Sequence, residues 1–182
     1  MSPAPPPPDL SLVVQAFANI PHSRLLGLRL DEIRHGHAAM SVAWDERLIG
    51  NPRTRVVHSG VITALLDTLC GLVVMSAVPD GTALATLDLR IDYLRPATPG
   101  ETIRAAAECY KVTSSIAFVR GSAFHTRKED AIAHCTGTFM LGGAGFTAGP
   151  PRDAASSPSG NPAGTIDGEG GSADSGGGAQ PC

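Results

Sequence analysis

Asp67 is the one charged residue in the 19-residue stretch 60–78, which is otherwise apolar or small. Burying an unpaired carboxylate is costly and Asp is a poor helix former, so its presence there needs a reason. On a helix its neighbours along one face are Gly60, Thr63, Ala64 and Gly71, small residues that let a slender ligand or another backbone come close. In a functional reading the carboxylate faces a groove; in a structural one it pairs with an internal polar group such as Arg90 or Thr68. The same helix starts at His58-Ser59-Gly60, where the free N–H groups of a first turn carry partial positive charge suited to an oxyanion. Asp67 follows Ser59 by eight residues, about 12 Å along the axis at about 1.5 Å per residue. One helix therefore cannot bring both groups onto one substrate carbon. Another element or another chain must complete such a site, and a two-fold dimer that sets the entrance of one helix near the Asp of its partner does so.

Other chemistries lack their residues. The chain holds no GxSxG, GxGxxG or GxxxxGK[ST] loop, which excludes an α/β serine hydrolase, a dinucleotide enzyme and a P-loop enzyme. His35 and His37 form an HxH pair without a third ligand at a useful spacing, and His125, His134 and Cys135 fall in separate strand patterns, so no metal is expected.

Holding Asp67 in place requires a helix and something to enclose it. Leu10, Val13, Val14 and Phe17 have helical spacing behind a capping Asp9. Leu26, Leu28 and Leu30 alternate with polar or small residues, as do Met40, Val42 and Trp44 after a turn at residues 34–37, and together they predict a hairpin. Gly50-Asn51-Pro52 signals a loop, the apolar helix follows, and Pro79-Asp80-Gly81 stops it. Leu87, Leu89, Ile91 and Tyr93 alternate again, and residues 102–112, 115–125 and 131–141 read as three more strands. Two strands, one long helix and four strands pack best as an α+β fold, an antiparallel sheet curled around the helix. No internal repeat is visible.

Composition marks the limits of that fold. Of 21 glycines, 12 lie in residues 142–182, and five of the 15 prolines lie in residues 1–8. These two segments are expected to be disordered, a Pro-rich lead (1–8) and a Gly/Ser/Pro/Ala-rich tail (142–182), around a domain at 9–141. Four cysteines without a CxxC pair suggest a reducing compartment, and the N-terminus lacks a signal-peptide pattern, so a cytoplasmic protein is expected. Fourteen basic and 17 acidic residues, with no basic stripe, argue against nucleic acid. Asp67 near the middle of the apolar stretch, with no flanking basic cluster, argues against a membrane span.

The segments VVHSGVITALLDTLCGL and ATLDLRIDYLRPATPGE resemble those of the PaaI-like, phenylacetate-pathway group of hotdog-fold acyl-CoA thioesterases. The most specific elements are a His-Gly-Gly-like entrance with an acid nine residues after the histidine, His58 and Asp67, and the Tyr93–Ala97 strand end; the resemblance covers about residues 20–141. It implies the hotdog fold, hydrolysis of an acyl-CoA to the free acid and coenzyme A, and no cofactor. It also implies a homodimer or homotetramer, with subunits joined edge to edge and sites at the interface. Asp67 then activates the attacking water or acts as nucleophile, and the N–H of Ser59 polarises the thioester carbonyl from the other subunit. Thr86 helps orient the water, Asn51 bonds the substrate from its loop, His58 joins the catalytic set at the helix entrance, and Gly60 contacts the substrate there. Arg95, Lys111 and Arg120 are candidates for the coenzyme A phosphates. The chain has His-Ser-Gly where the family has His-Gly-Gly, a change that keeps the backbone N–H. A 3-hydroxyacyl-thioester hydratase using His58, and an acyl-CoA binder without turnover, are the alternatives.

Overall fold

Six long strands and one long apolar helix dominate the computed structural model, which describes residues 8–142. Helix α1 (Leu10–Ala18) opens the fold, with the Asp9 carboxylate accepting from the Ser11 N–H at 2.9 Å as its N-cap. Helix α2 (Pro21–Leu26) follows, with Pro at its first position and Gly27 beyond its end at φ 70°. Leu26 thus closes a helix rather than opening a strand, and strand β1 begins at Leu28 (Leu28–Arg34). Strand β2 (His37–Val42) pairs with β1, and Trp44 lies beyond it, its indole N–H donating to the Arg55 carbonyl at 3.1 Å.

The segment around Gly50-Asn51-Pro52 is more ordered than a plain loop. Strands β3 (Ile49–Asn51) and β4 (Val56–Val57) form a short ribbon that leads directly into helix α3 (Ser59–Met75). Strands β5 (Leu84–Tyr93), β6 (Ile103–Val112), β7 (Ile116–Phe124) and β8 (Ala131–Leu141) complete the structure. The main sheet is antiparallel throughout in the order β1-β2-β6-β7-β8-β5, so β1 and β5 are its edges.

Helix α3 lies in the curl of this sheet. Leu65, Leu66, Leu69 and Val73 are fully enclosed, against Met40 of β2, Ala105 of β6, Val119 of β7 and the other inward residues of the core. The helix ends at Met75, earlier than Pro79 alone would stop it. Buried Ser76 explains the difference, because its hydroxyl donates to the Val73 carbonyl at 2.8 Å and accepts the Gly36 N–H at 3.1 Å. That second bond ties the end of α3 to the β1–β2 turn.

Strand β5 departs from simple alternation. A bulge between Thr86 and Asp88 shifts its register against β8, and Leu87 turns outward with 54% of its surface exposed. Tyr93 and the following Leu94 are 45% and 55% exposed, so the expected common inner face reduces to Leu89 and Ile91, both half-buried. The expected 1–8 lead and 142–182 tail fall outside the described residues except for Pro8 and Gly142. No described helix is long and apolar enough to cross a membrane.

Candidate active site

The small face of α3 is the one its own sheet leaves uncovered. Gly60 and Thr63 are exposed, and Ala64, Asp67, Thr68 and Gly71 are half-buried, whereas the opposite face is core. Asp67 points to the start of β5, where the Thr86 hydroxyl donates to its Oδ1 at 3.1 Å. Arg90, a conceivable partner by sequence, is bound to Asp92 instead. Cys70 lies one turn further on, buried, with its sulfur 3.8 Å from that of Cys135. The contact with Cys135 and burial push the Cys70 thiol well up, which keeps a thiolate nucleophile out of this part of the helix.

The entrance of α3 is built from three sides. The His58 N–H donates to the Leu48 carbonyl at 2.8 Å, while its ring Nδ1 accepts the Gly60 N–H at 2.9 Å as the helix cap. A Cβ on Gly60 would stand 2.8 Å from that Nδ1, so the glycine is there to admit the ring. Tyr93, at the far end of β5, donates its hydroxyl to the Ser59 carbonyl at 3.0 Å and lies 2.8 Å from the Thr63 hydroxyl. The Ser59 N–H makes no hydrogen bond among the described residues. Sequence reasoning placed Tyr93 in a recognisable segment but missed this positioning contact, which needs β5 laid beside α3.

Gly50 backs the same entrance from the ribbon. A Cβ there would meet His58 Cα at 2.7 Å and Cβ at 2.9 Å, and a backbone contact of that kind cannot be relieved by a rotamer change. Gly50→Ala should therefore displace His58 and destabilise the protein by about 1–3 kcal/mol, as overpacking does. Thermal unfolding reads this directly, and an unchanged Tm would mean the ribbon yields without strain.

The remaining expected residues are placed less favourably. The Asn51 side-chain oxygen accepts the Arg53 and Thr54 N–H groups at 3.0 and 3.4 Å, so it closes its own turn. Arg95 is held by the Asp130 carbonyl and carboxylate at 2.8 and 3.0 Å, with its Nε buried and unpartnered among the described residues. Arg120 alternates with inward Val119, so it lies on the sheet face turned away from α3, bonded to Glu108 at 2.6 Å. Its guanidinium holds the Glu108 carboxyl below the usual range. Lys111 is exposed near the end of β6, and the structure brings none of these three cations to Asp67.

A cleft of about 480 Å³ opens beside the Asp67–Thr86 pair, lined by Thr68, Gly71, Leu72 and Met75 of α3. Leu84, Ala85 and Phe139 form its other wall, and Ile20 and His22 reach it from α2. Those last two were not anticipated, because α2 itself was hidden by the Leu26-Leu28-Leu30 alternation; Pro21 and Gly27 were the signals that could have found it.

Comparison with known proteins agrees with this architecture. Residues 55–131 match the thioesterase superfamily. A medium/long-chain acyl-CoA thioesterase of Escherichia coli, YigI, is 29% identical over 147 residues, covering 73% of this chain and 94% of the relative. A crystal structure from Pseudomonas aeruginosa is 37% identical, with a TM-score of 0.65 and coverage of 72% of this chain and 97% of that one. The E. coli PaaI protein of the phenylacetic acid degradation operon shares the fold at 20% identity and TM-score 0.65, covering 75% and 98%. With its six-stranded sheet wrapped around α3 and a carboxylate on the uncovered face, the chain has the hotdog fold that PaaI shares, belongs to the thioesterase superfamily and is a thioester hydrolase.

Proposed function

We propose that the protein hydrolyses acyl-CoA thioesters to the free acid and coenzyme A, with Asp67 activating the water. The observation that carries this is the Thr86–Asp67 hydrogen bond at the mouth of the cleft, which fixes one carboxylate oxygen and leaves the other for a proton. The acyl-CoA substrate class is supported by the likeness to YigI.

The carbonyl is polarised by the unbonded Ser59 N–H at the positive end of α3. Ser59 and Asp67 of one chain are too far apart to share a carbonyl, so each site takes Asp67 from one subunit and Ser59 from another. The outer edge of β5 suits such an assembly. Along this ten-residue strand the edge away from β8 has no partner among the described residues, Leu87 and Tyr93 are exposed, and pairing it with a second copy removes an open edge while bringing two α3 helices together. A homodimer is the smallest unit that does this, and a homotetramer contains it.

The fit of His58 to its cap favours hydrolysis over hydration, since Nδ1 is occupied by the Gly60 N–H and the ring serves the helix entrance. The test is free-thiol release from a panel of aliphatic and aryl acyl-CoAs, run beside light scattering for the oligomeric state. Thiol release by a dimer or tetramer is the expected result. Saturable acyl-CoA binding without thiol, in a folded protein, overturns the hydrolytic reading.

A further inference from the structure

We propose that Cys70 and Cys135 form an oxidation site, closing into a disulfide under hydrogen peroxide and slowing the hydrolysis beside it. The two sulfurs face each other at 3.8 Å where α3 packs on β8, and both residues are buried. A disulfide holds its sulfurs about 2.05 Å apart, so side-chain rotation with a small shift of α3 toward β8 is enough to close the contact. Cys109 is engaged elsewhere, half-buried with its sulfur 3.7 Å from the Lys111 carbonyl.

The two thiols are unlike. Contact with the Cys70 side chain lowers the Cys135 thiol from its ordinary value, while the same contact and burial push that of Cys70 well up. Cys135 is therefore the sulfur that ionises and attacks, and Cys70 the one that keeps its proton. The Cys135 thiolate takes one oxygen from hydrogen peroxide to become a sulfenic acid, and the hydroxide that leaves recovers the thiol proton as water. The Cys70 sulfur then attacks the sulfenic sulfur; its S–H proton departs with the hydroxyl as a second water, and the S–S bond forms. Two thiols are oxidised and one peroxide is reduced.

Cys135 also borders a cavity of about 510 Å³, together with Ala106, Gly121 and Ser122. Gly121 pairs with it across the ladder, and a Cβ there would stand 3.2 Å from the Cys135 sulfur. The glycine sets no side chain against the sulfur on that side, which leaves an approach suited to an oxidant as small as a peroxide.

Closure reaches the candidate catalytic carboxylate through the helix. Cys70 follows Asp67 by three residues, about 4.5 Å along the axis. Drawing α3 toward β8 at Cys70 disturbs the 3.1 Å bond between Asp67 and Thr86, and misplacing a reacting group by about 1 Å can cost about 10²-fold in rate. This effect on rate rests on the hydrolytic reading above; the formation of the disulfide does not.

The experiment treats the reduced full-length protein with hydrogen peroxide, removes the oxidant, and reads tryptic peptides beside loss of thioester absorbance. Peptides 56–90 and 129–152 hold Cys70 and Cys135 and no other cysteine. They should appear joined without reductant and separate after dithiothreitol, and kcat of the joined form should be at least about tenfold lower, returning on reduction. Cys135→Ala and Cys70→Ala proteins, each with Tm showing an intact fold, should keep their kcat through the same treatment, whereas Cys109→Ser should lose it as the wild type does. Absence of the joined peptides, or a bond to Cys109 or Cys182 in their place, overturns the site. Joined peptides with an unchanged kcat overturn its hold on hydrolysis. A reduced wild type that cleaves no acyl-CoA overturns the hydrolytic reading, and the peptide map still decides the disulfide.

Discussion

An Asp67→Asn protein should fold as the wild type does and release thiol about 10²–10⁴ times more slowly, the range for loss of a positioned general base. The substitution is close to isosteric, and the amide oxygen can still accept the Thr86 hydroxyl that now bonds Oδ1 at 3.1 Å. What it loses is the ability to take a proton. Because the side chain is half-buried on the face of α3 that the sheet leaves free, the change does not open a hole in the core. Stopped thiol assays with an unchanged Tm check the expectation, and wild-type turnover in the folded variant would remove Asp67 from the chemistry. KM should move much less than kcat, since a base acts on the transition state rather than on ground-state binding.

Ser59→Pro is the second large effect, and it tests the other half of the site. Ser59 is the first residue of α3, the position at which proline is best tolerated, and the preceding His58 has ψ 133°, which a following proline accepts. The variant therefore deletes one N–H and little else. Removing one oxyanion donor typically lowers kcat about 10²–10³-fold, and that is the expected loss here. The two variants together test the shared site. If Asp67 and Ser59 serve one substrate from different subunits, mixed dimers of Asp67→Asn and Ser59→Pro chains carry one doubly damaged site and one intact site. Activity should then reappear on subunit exchange between two inactive preparations. Failure of exchange-competent mixtures to regain activity would place both groups within one chain and overturn the dimeric site.

The parts legible in the sequence were those that leave a one-dimensional trace. A lone carboxylate in an apolar helix, a cap before it and strands alternating after it all report on neighbours close in sequence, and the existence and order of α3 and the six main strands, with the Asp9 cap, came out as read although several of their bounds did not. What failed depended on pairing. The Leu26-Leu28-Leu30 alternation fits a strand, yet Leu26 belongs to α2, because a short helix and a strand can share leucines across a Gly27 turn. The Thr86–Asp67 bond joins residues 19 apart and exists only once β5 lies beside α3. Arg120 resembled any other cation near a strand end until the register of β6 and β7 placed it on the far face, opposite Glu108.

The bulge between Thr86 and Asp88 sets how β5 can vary. Two contacts lie on either side of it, Thr86 to Asp67 and Tyr93 to the Ser59 carbonyl, and both need their side chains turned to α3. Residue type along the intervening strand is a loose constraint, since most of those side chains are exposed or half-buried. Residue number is a strict one. Deleting Leu87 takes out the extra residue of the bulge and leaves Thr86 and Tyr93 an even six positions apart, both on the α3 face of a regular ladder, whereas inserting one more residue between them would rotate one contact away from the helix. An insertion scan of this strand should therefore separate folding from turnover more cleanly than a substitution scan, with one added residue as the change to which catalysis is most sensitive.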